Sequence, residues 1–199
     1  YTNSYGSDGS TRFADAGLIK IFLWDPDTFK YGTLEEKLPP TDEASQNYGW
    51  AHKICEPGAS SVRSTPTKYL FVSSPGKTSD TGAVYMYEWG VGADGSTYDT
   101  WTQNLTITSN EANTGKRFGH AIAANDNGDI LAVSSTAPGK AGMVEIFRRT
   151  SQSNDDSTQH AFTLVQTLTG ISTDGSSLNT AFGDSLTMSK DGTTLVIGA

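Results

Sequence analysis

The feature that most constrains this chain is a set of three short phrases that recur in a fixed order. One phrase is an aromatic residue followed by Gly, and it begins at Tyr48, Phe118 and Phe182. A second phrase is a short apolar run, found within residues 69–73, 130–134 and 194–199. A third phrase sets a small residue and Gly before alternating apolar residues, in residues 16–25, 81–90 and 141–150. Phrases of strand length that recur roughly every 65–70 residues predict a β-repeat protein.

Each complete repeat is predicted to contain four short strands. In the best-defined repeat the strands are residues 118–123, 130–134, 142–148 and 162–168, with a turn rich in Asn and Gly between the first two. The preceding repeat has strands at 48–54, 69–73, 83–89 and 100–107. The chain opens with the last two strands of a repeat, at 17–24 and 32–38, and closes with the first two of another, at 182–188 and 194–197. We therefore expect an all-β fold of half a unit, two whole units and half a unit.

Composition agrees with such a fold and excludes several functions. The 199 residues include 21 Gly and 35% hydrophobic residues, which suits short strands that each bury one face. The net charge of −8 disfavours binding to nucleic acid or to anionic membranes. No apolar run has the length that spans a bilayer, and the single cysteine, Cys55, allows no internal disulfide. No phosphate-binding loop, nucleophile elbow or paired-acid motif occurs, so no enzymatic activity is predicted.

The three phrases resemble FG-GAP repeats, the blades of the seven-bladed β-propeller in integrin α-subunit head domains and in many secreted or surface proteins. The resemblance covers essentially the whole chain. The short turn at residues 189–195 is similar to forms found in surface proteins of microbes and unicellular eukaryotes. The resemblance implies four-stranded antiparallel blades and an extracellular or cell-surface location. Proteins with such repeats serve adhesion, ligand binding or plain scaffolding, so the fold alone does not choose among these functions.

As a propeller, the chain would divide into a half blade (1–47), two blades (48–117 and 118–181) and a truncated half blade (182–199). Joining the two halves gives about three blades, fewer than the four to eight that close a propeller. We therefore expect an arc of a larger propeller, from a longer or processed chain. The missing blades would come from the same chain or from neighbouring subunits. Expressed alone, residues 1–199 should aggregate or fold poorly because strand edges in the half blades lack partners.

Packing between blades should involve the aromatic-Gly pairs. We expect Phe118 and Phe182 to be buried between neighbouring blades, while Gly119 and Gly183 allow close approach of the backbone.

Many FG-GAP blades carry calcium in a loop between the first two strands, and calcium needs several convergent oxygen ligands. Here the third-unit turn offers Asp126 and Asp129, but it is only as long as a hairpin turn. In the last unit Lys190 lies inside the turn and Asp191 is its only carboxylate. A backbone role for the Asn, Asp and Gly residues explains these turns better, so no cofactor is predicted and calcium is the alternative.

Comparison between the units singles out candidate recognition residues. Positions that repeat serve the fold, whereas positions that differ face a channel or a partner. The residue after the aromatic-Gly pair differs in every unit, being Trp50, His120 and Asp184. We predict that these three residues form a recognition surface. His52 and His120 have near-equivalent positions, but no third ligand accompanies them, so no metal site is predicted.

One N-glycosylation sequon, at residues 104–106, lies within the predicted fourth strand of the second unit. This strand is the outermost of its unit and is therefore expected to be exposed. Asn104 is thus a candidate glycan acceptor if the protein is secreted from a eukaryote.

The sequence favours a non-catalytic propeller of an extracellular or surface protein, serving adhesion, protein–protein interaction or assembly of a surface structure. One alternative is a carbohydrate-binding propeller in which Trp50 stacks on sugar rings. Another is an accessory propeller of a larger enzyme. The expected partners are a protein or glycan at the cell surface, besides the remaining blades or neighbouring subunits. Neither nucleic acid nor membrane insertion is expected.

Overall fold

The structure, a computed structural model, is an antiparallel all-β fold and describes residues 3–5, 12–37, 39–40, 43–57, 68–90, 100–111, 116–136, 141–152, 159–170 and 181–199. Its strands are β1 (Asn3–Tyr5), β2 (Arg12–Ala14), β3 (Ile19–Asp25), β4 (Lys30–Lys37), β5 (His52–Cys55), β6 (Tyr69–Ser74), β7 (Ala83–Trp89), β8 (Trp101–Ile107), β9 (Phe118–Ala124), β10 (Ile130–Ser135), β11 (Met143–Gln152), β12 (Gln159–Thr169), β13 (Ser185–Met188) and β14 (Leu195–Gly198). A short left-handed turn, labelled α1 (Lys77–Asp80), lies between β6 and β7. No helix among the described residues has the length and apolar character that crossing a membrane requires.

Two four-stranded sheets make up most of the fold. Their strand orders are β5-β6-β7-β8, here the second unit, and β9-β10-β11-β12, the third unit. Each strand pairs antiparallel with its neighbours in sequence, so the four-stranded antiparallel sheets predicted for these two repeats are confirmed. The recurring phrases identify β3 and β4 as the third and fourth strands of a first half unit. They identify β13 and β14 as the first and second strands of a last half unit. The small hairpin β1–β2 was not expected from the sequence.

Successive units meet at a contact that we call the glycine seam, where the Gly opening a third strand lies against the residue opening the next unit. Gly82 and Phe118 form a parallel β-bridge. A Cβ atom on Gly82 would overlap the Phe118 carbonyl oxygen and lie 2.6 Å from its amide nitrogen, so no larger residue fits there. The same close approach recurs at Gly17 with Tyr48 and at Gly142 with Phe182.

A hydrophobic cluster lies between the second and third units. Phe118 is fully buried in this cluster, and its ring packs edge-to-face on Phe147 with centroids 5.9 Å apart. The burial predicted for Phe118 is confirmed. Phe182 is only partly buried, so the burial predicted for it is confirmed only in part; among the described residues, β13 and β14 of its half unit pair only with each other.

A β-bulge with one extra residue occurs at the same repeat position in the three fourth strands β4, β8 and β12. The register between third and fourth strands shifts at Ile21/Phe22 in β3, at Met86/Tyr87 in β7 and at Ile146/Phe147 in β11. Bulges alter strand direction and twist, so the shared bulge gives the three units the same shape. It also aligns the units independently of their sequences.

Glu145 in β11 is a buried carboxylate beside the loop that follows β8. Its Oε1 accepts a hydrogen bond from the Asn110 N–H at 3.2 Å, which ties this loop to the third unit. Burial raises the pKa of Glu145 above its usual value, because the charged form loses its hydration. Keeping Glu145 ionised at neutral pH therefore costs the folded protein stability.

We expect Glu145→Gln to be more stable than the wild type at neutral pH, because the amide keeps the oxygen acceptor without a buried charge. The pKa of Glu145 is higher in the folded than in the unfolded protein. Protonation of Glu145 therefore stabilises the wild type fully at pH values below the unfolded-state pKa, and this stabilisation is lost as the pH rises through the folded-state pKa. The difference between the proteins should therefore shrink at about pH 4. Urea unfolding at both pH values measures it. The control Glu36→Gln, at an exposed carboxylate of β4, should change stability by less than about 0.5 kcal/mol. A less stable Glu145→Gln at neutral pH would contradict the expectation.

Candidate recognition row at the start of the first strands

Each predicted recognition residue follows an aromatic-Gly pair and is held by the same backbone turn. The Gly of the pair has a positive φ, +95° at Gly119, which lets the chain reverse before the next residue. β5 and β13 begin later than the sequence predicts, at His52 and Ser185 instead of at residues 48 and 182, whereas β9, which carries the same turn, begins at Phe118 as predicted. Each turn is closed by a backbone hydrogen bond. The N–H of the row residue donates to the carbonyl three residues earlier, with Trp50 to Asn47 at 3.2 Å, His120 to Arg117 at 3.1 Å and Asp184 to Ala181 at 2.9 Å.

Across three units, the His120 side chain contacts Trp50 on one side and Asp184 on the other, and the three form what we call the recognition row, Trp50–His120–Asp184. The Trp50 and His120 ring centroids lie 5.8 Å apart, with the rings tilted by 41°. His120 Nε2 lies 3.0 Å from Asp184 Oδ1, so the imidazole donates to the carboxylate when Nε2 carries a proton. The structure thus brings together all three residues that the sequence comparison selected.

Exposure differs along the recognition row. Trp50 is 58% exposed and the Asp184 side chain 69%, whereas the His120 side chain between them is 19% exposed. The row therefore offers a flat apolar ring at one end and a carboxylate at the other, joined by a polar ring. Such a set can stack on a flat partner group and accept hydrogen bonds from it.

Packing of the first strands brings the row together. β9 contacts β5 of the preceding unit and β13 of the following one. On β9, Ile122 and Ala124 point into the cluster shared with the second unit. His120 lies on this same side, although the register between β9 and β10 is irregular between residues 118 and 122. It therefore reaches back to Trp50, and Asp184 reaches back to His120 in the same way.

Serine hydroxyls of the second strands fix the residue after each row position, a feature that the sequence analysis missed. The Ala121 N–H donates to Ser134 Oγ at 2.8 Å, and the Ala51 N–H donates to Ser73 Oγ at 2.9 Å. A sequence signal exists in the Ser-Ser pairs at residues 73–74 and 134–135, which close the second phrase in both complete units. The first Ser of each pair is thus a positioning residue for the row.

In the last half unit, the equivalent hydroxyl comes from the first strand instead of the second. Gly198 takes the place of the strand Ser, and Ser185 takes the place of the Ala after the row residue. The Ser185 hydroxyl fills the space that a Cβ on Gly198 would need. The pocket between the first and second strands therefore holds one hydroxyl in each of the three units.

The turn that carries His120 is also braced by α1. The Arg117 N–H donates to the Asp80 carbonyl at 2.8 Å, and Arg117 Nε lies 3.5 Å from the Asp80 carboxylate. Thr78, Ser79 and Asp80 all have positive φ, a conformation that side chains disfavour. The sequence analysis made no prediction for this segment between the second and third strands.

The turn considered for calcium is closed by its own side chains. Asn125 Oδ1 accepts hydrogen bonds from the Asp129 and Ile130 N–H groups at 3.1 and 3.0 Å, and Asn125 Nδ2 donates to Asp129 Oδ1 at 2.5 Å. The Asp126 N–H donates to the Lys190 carbonyl of the last half unit at 2.9 Å. These contacts agree with the hairpin interpretation of the turn. In the described parts of the chain, no three His, Cys, Asp or Glu side chains converge as metal ligands would.

The turn of the last half unit is built in a similar way. Asp191 Oδ1 accepts hydrogen bonds from the Ser189 hydroxyl at 2.7 Å and from the Thr193 N–H at 3.1 Å. The hydrogen bond from Ser189 and those from Thr193 lower the pKa of Asp191 to about 2. This carboxylate therefore stabilises its own turn.

Asn104 is the extra residue that the bulge leaves on β8, and it is exposed as predicted for a glycan acceptor. Its Nδ2 already donates to Glu88 Oε2 at 2.8 Å, and Glu88 is buried. The atom that would carry a glycan is thus engaged with the sheet, and glycosylation of Asn104 stays a prediction.

Cys55 lies in the hydrophobic cluster between the second and third units, and burial raises its pKa to about 12. A thiol held so firmly in its neutral form does not act as a nucleophile. Cys55 therefore acts as a small apolar residue of the core.

No model of a known protein family matches this chain, and no curated protein sequence matches it.

Proposed function

We propose that this chain is a non-catalytic recognition segment of an FG-GAP-type β-propeller, in an extracellular or cell-surface protein. There it serves adhesion, protein–protein interaction or assembly of a surface structure. The observation that carries the proposal is the recognition row: the same turn in three successive units holds three different side chains, and the middle one, His120, contacts the other two. A repeated frame with variable residues at one edge is how repeat proteins build extended binding surfaces.

Three features support the propeller part of the proposal. The first strands of successive units contact one another, and so do the fourth strands β8 and β12. The glycine seam joins equivalent residues at each junction between units. The shared bulge gives the units one shape. Equal units joined by equal contacts follow one another with a constant rotation, which is how a ring of blades is generated.

The proposal predicts that Trp50→Ala and Asp184→Ala each weaken binding to the surface target at least about tenfold, because each removes one end of the row. Fluorescently labelled protein tested on arrays of glycans and extracellular proteins would measure this loss. Val165→Ala removes a similarly exposed apolar side chain on β12 and is the matched control, which should bind like the wild type. Targets bound equally by both row variants would contradict the role of the row. Hydrolytic or transferase activity of the purified protein would contradict the non-catalytic assignment.

Carbohydrate binding is a second candidate, and the exposed indole of Trp50 beside the His120–Asp184 pair favours it. The C–H face of a sugar stacks well on an indole, and a carboxylate accepts hydrogen bonds from sugar hydroxyls. The same arrays separate the two candidates. Glycan targets without protein targets favour the carbohydrate-binding propeller, and protein targets alone favour adhesion or assembly.

A further inference from the structure

The turn between β9 and β10 contains an exposed asparagine that is followed directly by glycine. Asn127 is exposed, and no described residue forms a hydrogen bond with its side-chain amide. Its backbone carbonyl accepts a hydrogen bond from Arg149 Nη2 at 3.1 Å. Gly128 has a φ of +63°, and its N–H donates to the Asn125 carbonyl at 3.0 Å. A free carboxamide therefore lies next to a backbone nitrogen whose own residue carries no side chain.

The equivalent turn, between β13 and β14, holds the matching side chain in place. In both turns the N–H of the Gly donates to the carbonyl three residues earlier, at 3.0 and 2.9 Å. Asp191 precedes the Gly of the second turn, and its Oδ1 accepts hydrogen bonds from the Ser189 hydroxyl and from the N–H and hydroxyl of Thr193. In the turn after β9 the side chain of Asn125 makes the closing bonds instead. Asn127 is thereby left without the role that Asp191 has.

An asparagine amide beside a glycine nitrogen can close a five-membered ring with it. We propose that Asn127 is a site of spontaneous cyclisation and deamidation. The Gly128 nitrogen attacks Asn127 Cγ to form a succinimide, while the bond from Cγ to Nδ2 breaks. Nδ2 leaves as ammonia, with the proton that the Gly128 nitrogen gives up through solvent. Water is the co-reactant that then opens the ring at either carbonyl, which gives aspartate or isoaspartate. In isoaspartate the backbone runs through the former side chain and is longer by the Cβ atom.

The position of the turn allows the ring to close. The attack requires the peptide between Asn127 and Gly128 to rotate, which releases the Gly128 N–H from the Asn125 carbonyl. This hydrogen bond joins neutral groups, so its net contribution to stability is small. Gly128 adopts other backbone angles readily, because it has no side chain. The paired residues nearest the turn are Ala124 and Leu131, so the rotation leaves the β9–β10 ladder intact.

Asp191 is expected to resist the same reaction. An aspartate closes the ring only when its carboxyl group is protonated, because the leaving oxygen departs as water. The hydrogen bond from Ser189 and those from Thr193 lower the pKa of Asp191 to about 2, which keeps the carboxylate ionised at neutral pH. The chain thus contains a matched Asp-Gly turn that should stay unmodified.

Modification at Asn127 changes the contact between the second and third units. A Cβ atom on Gly128 would lie 3.0 Å from Tyr69 Cδ2 and 3.4 Å from Cys55 Cβ, so the turn rests directly on the second unit. The guanidinium carbon of Arg149 lies 4.2 Å from the centroid of the Tyr69 ring. The longer isoaspartate backbone displaces the carbonyl that Arg149 binds. We therefore expect the isoaspartate form to be less stable, whereas the recognition row, at the opposite end of β9, keeps its geometry.

Peptide mapping by mass spectrometry tests the inference on the whole 199-residue chain. The protein is incubated in mildly alkaline buffer, where the amide nitrogen loses its proton more readily, and samples are digested over several weeks. We expect the peptide containing Asn127 to gain the mass difference between an amide and a carboxyl group, and an isoaspartate methylation assay to give a signal. Conversion should be at least about tenfold faster than at Asn110, which is also exposed but is followed by Glu111.

Two variants separate the chemistry from its consequence. Asn127→Gln keeps an amide but would have to close a larger ring, so it should stay unmodified. Asn127→Asp carries the charge of the product on a backbone of normal length. After incubation, the isoaspartate form of the wild type should melt about 3 °C or more below fresh protein, whereas incubated Asn127→Gln and fresh Asn127→Asp should melt within about 1 °C of it. Asn110→Gln is the matched control, in which Asn127 should be modified as fast as in the wild type.

A synthetic peptide of residues 123–131 serves as the reference for the unfolded chain. An Asn127 that stays intact in the folded protein after the peptide has fully converted would overturn the proposal. Conversion at Asp191 as fast as at Asn127 would show that side-chain hydrogen bonds do not decide the reactivity, and would overturn it too. An isoaspartate form that melts like fresh protein would overturn the expected effect on the contact between the units.

Discussion

Gly82→Ala is expected to separate the second and third units and to lower the free energy of unfolding by more than about 4 kcal/mol. Gly82 has a φ of +85°, where any Cβ strains the backbone. That Cβ would also overlap the Phe118 carbonyl oxygen across the glycine seam. The obstructing atoms belong to backbone, so they cannot swing aside as a side chain would. Thermal unfolding followed by circular dichroism should show a melting temperature lower by roughly 10 °C or more.

Gly32→Ala is the matched control for this prediction. Gly32 lies in β4, and no atom lies within 4 Å of the position that its Cβ would take. Its replacement should change stability by less than about 1 kcal/mol, with a gain expected from the reduced entropy of the unfolded chain. Equal losses for Gly82→Ala and Gly32→Ala would show that the seam does not join the units.

Phe118→Ala is expected to lower the free energy of unfolding by about 3–5 kcal/mol, the range for removing a buried aromatic ring. The ring is fully buried between the units, and its edge-to-face contact with Phe147 is lost along with its burial. The Ala variant leaves a cavity that the paired strands around it cannot close by moving. In urea unfolding, the transition should move to a lower urea concentration with an unchanged slope.

Phe29→Ala is the control for Phe118→Ala, because Phe29 is 76% exposed in the turn between β3 and β4. Its loss should change stability by less than about 0.5 kcal/mol. A loss below about 1 kcal/mol for Phe118→Ala would mean that the ring does not hold the two units together.

The strands could be predicted because their local patterns are strong. Residues 83–89 are a largely apolar run with a Gly on either side, at residues 82 and 90. As expected, β7 spans Ala83–Trp89. The turn after β9 was equally clear, since Asn and Gly tolerate the required backbone angles. The later starts of β5 and β13 were missed, since alternation does not show where sheet pairing begins and β9 begins at Phe118 with the same turn.

The membership of the recognition row could be predicted, whereas its contacts could not. Comparing units shows that Trp50, His120 and Asp184 occupy one repeat position, and this needs no coordinates. That His120 lies within hydrogen-bond distance of Asp184 depends on how closely the units pack, which the glycine seam sets. Contacts between units are absent from any local pattern of residues.

The burial of Glu145 was also not predicted, because it depends on contacts between distant parts of the chain. Glu145 occupies an ordinary strand position, and strand patterns usually place a charged residue in solvent. Its burial follows from the loop after β8, which lies against it and supplies the Asn110 N–H. Which loop covers which strand is a property of the whole fold.

The exchanged hydroxyl of the last half unit limits how such repeats can be recombined. A hybrid that joined β9 to β14 would bring Ala121 and Gly198 together, leaving a void and removing the acceptor for the Ala121 N–H. The opposite hybrid, β13 with β10, would bring Ser185 and Ser134 into a space that holds one hydroxyl. Crossovers between repeats of this kind are therefore tolerated when they fall after the second strand, so that the first two strands are inherited as one block.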